Sequence, residues 1–276
     1  MKSFFRKVKS NIVPIGEIIL VIFMFFLPSM FNFSNSIGDK IELKISKDWM
    51  DYLFYLAFTH GDKMIGLLLA LVTLFAIRKK NKDDMFNKGD EYKDFSYCWY
   101  WICAKVLGYS KCSLVLVPIN MQFKLVIHDT FKEFYTGEVE EKKDEQIEVK
   151  RDKNIGDSDE INFIIADTYP LDRDQLPQSK KALPTIKIER DNSIDHNRYN
   201  SPELVSKVVN EVRNLSLNNK KINIYATTNP KNTMNIAKKA FGLGDRSDLD
   251  LVTVFQQSNA GTRKFKEKGM VVYKRQ

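Results

Sequence analysis

The sequence predicts an N-terminal two-helix transmembrane hairpin followed by a cytosolic α/β domain with a mostly parallel sheet. Three observations carry that reading. Two long apolar stretches lie in the first 80 residues. Cations cluster on the outer flanks of both. From residue 161 onward, short β-branched runs alternate with segments of helical periodicity.

The first stretch runs over 12–33 with one interrupting carboxyl, Glu17. A spanning helix needs about 20 apolar residues. Pro28 lies near its far end, where a proline removes little helical bonding. No small-x-small cleavage site follows, so the segment reads as a retained anchor and not as a signal peptide. The second span is expected over 64–78. Upstream of it Trp49–Phe58 is apolar and aromatic, and Thr59-His60-Gly61-Asp62-Lys63 is polar. Two readings account for that order: an aromatic segment in the outer interface followed by a short tilted span, which Trp and Tyr at the headgroup level favour, or a longer span with the polar break inside the membrane.

Lys2, Arg6, Lys7 and Lys9 precede the first span, and Arg78-Lys79-Lys80 follows the second. The positive-inside rule then places both termini and the main domain in the cytoplasm of an inner-membrane protein, with residues 34–62 as an external loop. Glu17 is expected at the cytoplasmic headgroup level. Two helices cannot enclose a pore, so a channel would require a homo-oligomer.

The 276-residue chain carries a formal charge of +8, concentrated near the membrane and at the C-terminus. Juxtamembrane cations of this kind suit anionic lipid heads. The acids interspersed between Glu138 and Asp174 argue against a nucleic-acid footprint. Cys98, Cys103 and Cys112 fall on the reducing side. Their C-x4-C-x8-C spacing without a nearby His matches no zinc pattern, so they read as buried apolar residues. No cofactor is expected.

Within the domain, Phe95–Leu107 is dense in aromatics and suits a helix on the domain or in the inner interface. Leu114–Pro118 and Phe123–Ile127 read as strands, with Phe131–Tyr135 as an extension. Glu138–Asp159 is charged and reads as a solvated loop, a polar hairpin or a flexible linker. This gives three regions: 1–78, 79–160 and an α/β domain at 161–276.

Ile161–Ala166 and Thr185–Ile188 read as strands. Ser201-Pro202-Glu203 is a helix start, with Ser at the N-cap and Pro at the first helical position. Leu204, Val205, Val208, Val209 and Val212 then recur at the helical period. Ile222–Ala226 is a strand, Thr233–Phe241 a short helix, and Leu249–Phe255 with Met270–Tyr273 an antiparallel edge pair.

Ligands of open α/β sheets bind beyond the carboxyl ends of strands. Thr227, Thr228, Asn229, Lys231, Asn232 and Thr233 occupy one such place, between a strand end and a helix start. Hydroxyls, amides, free backbone N–H groups and one cation suit a phosphate or another anion. The alternative is an Asn-Pro turn before a capped helix. Asp167 and Tyr169 follow the first strand, where Tyr169 suits stacking on a base and Asp167 hydrogen bonding to a sugar or base edge. Ser258–Lys264 forms a third polar loop.

The sequence Thr227-Thr228-Asn229-Pro230-Lys231-Asn232-Thr233-Met234 between strand and helix resembles the second conserved loop of the Rossmann-like sensors of CRISPR-associated and cyclic-oligonucleotide defence effectors. That loop is typically Thr-Gly-Gly-Thr-Lys, and this chain departs from it with Asn229-Pro230 at the glycine pair. The resemblance covers 222–241 closely and 161–276 by element order. It implies a membrane-anchored anti-phage effector in which a cyclic nucleotide triggers membrane damage.

G-x-S-x-G, Walker, G-x-G-x-x-G and H-E-x-x-H motifs are absent. Arg190 and His196 echo a ribonuclease spacing, but in a polar, non-periodic segment. The chain is expected not to be an enzyme. A membrane-tethered scaffold for a protein partner and a membrane-tethered nucleic-acid binder are the alternatives.

Overall fold

The computed structural model describes residues 11–31, 49–89, 91–142, 146–191, 198–242, 249–258 and 263–275. The chain forms two compact units: Met1–Phe86 with Trp101–Ser110, and Asn87–Tyr100 with Lys111–Gln276.

The first unit is built on α1 (Ile12–Met30) and α2 (Trp49–Asn81), followed by the two-residue strand β1 (Met85–Phe86). The helices run antiparallel, because Glu17 meets Asn81 and Phe25 meets Gly66. Ile19, Leu68, Val72 and Phe75 are 60–70% exposed. Apolar surface on that scale needs an apolar surrounding, which a bilayer supplies. At 1.5 Å per residue, α2 is about 50 Å long, more than the hydrocarbon core. The membrane-length part is His60–Asn81.

This corrects two expectations. The helix does not break at Thr59–Lys63, and the proposed external loop 34–62 is helical from Trp49 onward. Residues 34–48 of that loop, like the N-terminal cations, lie outside the described residues. Glu17, expected at the cytoplasmic headgroup level, is only 7% exposed.

Gly66 sets the spacing of the hairpin. A Cβ at that position would lie 2.0 Å from the Phe25 carbonyl oxygen, so the two backbones pack with no side chain between them. Gly66→Leu is expected to separate the helices. The check is inter-helix disulfide formation between cysteines introduced on facing positions of the hairpin, which should be lost in the variant and kept in Gly16→Leu, where the space is open.

The second unit holds a six-stranded sheet in the order β4-β6-β5-β7-β8-β9. These are β4 (Ile147–Arg151), β5 (Glu160–Ala166), β6 (Thr185–Arg190), β7 (Lys221–Ala226), β8 (Leu251–Phe255) and β9 (Met270–Lys274). The middle four strands are parallel and both edges antiparallel, so the sheet is mixed with a parallel centre. The expected β8–β9 edge pair is present. A smaller parallel pair joins β2 (Lys111–Ser113) to β3 (Glu133–Tyr135).

The segment Tyr97–Trp101, α3, continues as a π-helical turn over Ile102–Val106. Three further helices pack on one another along one face of the sheet: α4 (Ile119–Ile127), α5 (Pro202–Arg213) and α6 (Pro230–Ile236), the last extended by a π-helical turn over Ala237–Phe241. Ser201 caps α5 by accepting from the Leu204 N–H at 3.2 Å, and Leu204, Val205 and Val208 are buried. On the opposite face Ile164, Ala166, Leu171, Leu176, Tyr225, Phe255 and Phe265 form a cluster in which Tyr225 stacks on Phe255 at 4.7 Å. Asn162 and Asn223 lie opposite each other in register, and each donates to a partner, the Lys180 carbonyl and Glu160. That satisfies polar groups within otherwise apolar strands.

Three readings of this unit are corrected. The expected strand over Phe123–Ile127 is part of helix α4: Pro118 occupies its N-cap, and Ile119, Phe123 and Val126 are buried at helical spacing. The expected strand over Leu114–Pro118 is a turn after β2. Glu138–Asp159, read as a loop, a polar hairpin or a linker, is in part regular structure, since it contains the edge strand β4. Two of the three cysteines are buried, but Cys98 is exposed.

Candidate functional site

The strand order sets the location of the site. From β5 the chain moves to β6 on one side, while from β7 it moves to β8 on the other. The carboxyl ends of β5 and β7 therefore flank a topological switch point, where crossovers diverge and leave a crevice. A cavity of about 210 Å³ opens there, lined among others by Thr168, Tyr169, Arg198, Thr228, Gln256 and Gln257. This is smaller than the roughly 300–1,000 Å³ of a drug-sized pocket, and fits one base-sized group with the rest of a ligand outside.

A buried polar frame shapes the crevice. Asp167 is fully buried and Arg190 is 3% exposed, with Arg190 Nε 2.9 Å from Asp167 Oδ1. The guanidinium also donates to the Asp167 carbonyl at 3.1–3.3 Å. Asp167 Oδ2 accepts from Asn232 Nδ2 at 2.9 Å and from the Asn229 N–H at 3.3 Å. Both asparagines donate to the Tyr199 carbonyl as well. Asn229 caps α6 by accepting from the Asn232 N–H at 3.0 Å. The carboxylate thus joins the ends of three strand–loop connections at one point.

Thr227 bridges the two flanking loops: its hydroxyl accepts from the Asp167 N–H and donates to the Tyr169 carbonyl, each at 3.1 Å. Thr168 returns a bond to the Thr227 carbonyl at 2.7 Å. Thr228 and Thr233 hydroxyls share a bond of 2.7 Å. At the mouth, the Tyr169 hydroxyl donates to Gln257, and the Arg263 guanidinium lies 4.7 Å from the Tyr169 ring centre. Burial pushes the Tyr169 hydroxyl pKa up, against the pull of Arg263 and Arg198, so it remains a neutral donor. Leu116, also among the lining residues, holds φ of 60°, a left-handed conformation uncommon for a bulky residue.

The sequence-predicted residues therefore divide. Tyr169, Thr227, Thr228 and Asn229 line the cavity. Asp167, Asn232 and Thr233 are buried in the frame behind it, so their polar atoms position the loops. Lys231 is on the first turn of α6 and is not among the lining residues. The sequence reading missed Arg198, Gln256, Gln257 and Tyr92. Gln256 and Gln257 follow β8 and were accessible to the strand-end rule that found the others. Tyr92 and Arg198 reach the crevice only through tertiary folding. Of the third polar loop, 259–262 lies outside the described residues, as does His196.

The described lining residues include hydroxyls, amides, two tyrosines and Arg198, and no Asp or Glu. An anion with a planar, stackable group meets complementary chemistry there.

No curated protein matches the chain. Two solved structures of an Acinetobacter baumannii Cap4 SAVED/CARF-domain containing receptor resemble it at 10% identity. The one with the cyclic trinucleotide 3′3′3′-cAAA has a TM-score of 0.44 over 85% of this chain and 64% of that one. The one with 2′3′3′-cAAA has a TM-score of 0.45 over 87% and 65%. The chain spans just under two-thirds of the length of those receptors. The SMODS- and Ubiquitin system-associated 2TM effector domain, SUa-2TM, matches residues 1–272. That match bears out the resemblance to two-span defence effectors, and the chain belongs to the SUa-2TM effector family.

Proposed function

We propose that the second unit is a Rossmann-like sensor that binds a nucleotide-like anion in the crevice between β5 and β7, and that binding drives the hairpin to perturb the inner membrane in anti-phage defence. The observation that carries the reading is the crevice at the switch point, with Tyr169 and Arg198 on its wall and no described carboxylate lining it. The loop resemblance at 227–234 makes cyclic oligonucleotides the ligand class to try. Family membership supplies the effector role and the two-span architecture.

We read the site as a binding site: hydroxyls, amides, aromatic rings and Arg198 line it, and a ligand that prefers one conformation of the sensor shifts its population. The hairpin has two helices, so perturbation runs through a homo-oligomer in which several hairpins meet. Both termini and the sensor face the cytoplasm, where the signal is made.

The test is dye release from vesicles carrying the full chain. Cyclic di-, tri- and tetranucleotides are added one at a time. Release with one compound, and none from empty vesicles, supports the reading. A folded, inserted chain that releases no dye with any of them contradicts it and favours a membrane anchor that docks a protein partner.

A further inference from the structure

The first unit holds a buried carboxylate that the sensing site does not use. Glu17, on α1, is 7% exposed, and it accepts from Asn81 Nδ2 at 2.9 Å and from the Tyr109 hydroxyl at 3.2 Å. Lys80 Nζ lies 3.4 Å away but is largely exposed and adds little. Asn81 is fully buried and also donates to the Leu107 carbonyl at 3.1 Å. On the same end of α2, Arg78 donates to the Lys105 and Val106 carbonyls. A Cβ at Gly108, whose φ is +82°, would lie 3.0 Å from Arg78.

Three elements therefore meet at one carboxylate: the start of α1, the end of α2 and the segment Trp101–Ser110. That segment is continuous at both ends with the second unit, at Tyr100 and at Lys111. Tyr109 and Leu107 tie that segment to Glu17 and Asn81. These bonds are few and side-chain mediated, so the segment is able to open locally without unfolding the hairpin.

We propose that Glu17, Asn81 and Tyr109 form a latch that pins the segment Trp101–Ser110 to the cytoplasmic end of the hairpin, and that opening this latch is the step by which the sensor unit releases the membrane unit. Glu17 is then a positioning residue, acting through Tyr109 and Asn81. Its consequence for the membrane rests on the effector reading above; the latch itself does not.

Cys103 reports the state of the latch. It is fully buried in the pinned segment, and burial together with the Glu17 charge pushes its thiol pKa up, so it is protected from alkylation twice over. Cys112 is equally buried in the second unit and serves as the control for global unfolding. The experiment is maleimide labelling of the full chain in detergent, read site by site by mass spectrometry.

Tyr109→Phe removes one hydroxyl at constant shape, and Glu17→Gln removes the charge. Each is expected to raise the Cys103 labelling rate about tenfold or more with Cys112 unchanged. The double variant is expected to match the single ones, because all three residues act as one unit. Continued protection of Cys103 in Tyr109→Phe overturns the latch, because Glu17→Gln also removes a charge that holds the thiol pKa up and so speeds labelling without any opening. So does a parallel rise at Cys112, which marks a purely structural role. The same variants in dye-loaded vesicles are expected to leak without ligand. Cys103 labelling without leakage leaves the latch standing and contradicts the membrane-perturbing reading.

Discussion

Asp167→Ala is expected to destabilise the second unit by about 3–5 kcal/mol, because it leaves Arg190 charged, buried and without its carboxylate. The same change removes one of the two acceptors of the Asn232 side-chain amide, which keeps the Tyr199 carbonyl, and the carboxylate acceptor of the Asn229 N–H. For a unit of this size the loss is a fall in Tm on the order of 10 °C. Arg190→Met alone is expected to cost less, since the remaining carboxylate keeps the two asparagines as donors. The double variant is expected to lose less than the sum, as coupled partners do. Thermal melts of the full chain in detergent check all three. A fall of less than about 1 kcal/mol for Asp167→Ala would show that the pair does not organise the crevice.

The second large effect is on binding. Tyr169→Ala is expected to weaken the ligand roughly tenfold to a hundredfold, the range of about 1–3 kcal/mol that a base gains from an aromatic platform. Stability should change little, because Tyr169 is only partly buried at the rim of its cluster. Tyr169→Phe keeps the ring, loses the bond to Gln257, and is expected to fall within about fivefold of the native affinity. Titration by calorimetry separates the two. Equal affinity of Tyr169→Ala and the native chain places the ligand elsewhere.

The hairpin was readable because a bilayer imposes length and apolarity on each span, and nothing local competes with that signal. The start of α5 was equally readable, since Ser201-Pro202-Glu203 is a capping pattern that works within four residues. The middle of the chain was harder. Phe123–Ile127 is a short apolar run, and such runs fit a strand and a buried helix equally. The proline before it, at 118, was the local sign of a helix start. Strand β4 read as loop, hairpin or linker because an edge strand needs only one half-buried row, and Glu148 and Lys150 on its other row match a solvated loop.

The site divides along the same line. Strand ends and polar residues pointed to 167–169 and 227–233 from the sequence. Which polar atoms face the cavity did not follow, because the buried Asp167–Arg190 pair spans 23 positions and recruits Asn229 and Asn232 from a third connection. Residues with ligand-like chemistry were thus used to hold the loops. Glu17 shows the same effect in the hairpin: its partners at 81 and 109 are distant in sequence, so its burial did not follow from its place in the chain.

The central claim is that the crevice between β5 and β7 holds a nucleotide-like anion. Its most direct test is the thermal stability of the full chain in detergent against cyclic di-, tri- and tetranucleotides. A compound present at 100 times its Kd adds about 2.7 kcal/mol to the folded state. The account predicts a reproducible rise in Tm with one compound, lost in Tyr169→Ala. A well-folded chain whose Tm moves with none of them, or moves equally in Tyr169→Ala, would contradict it.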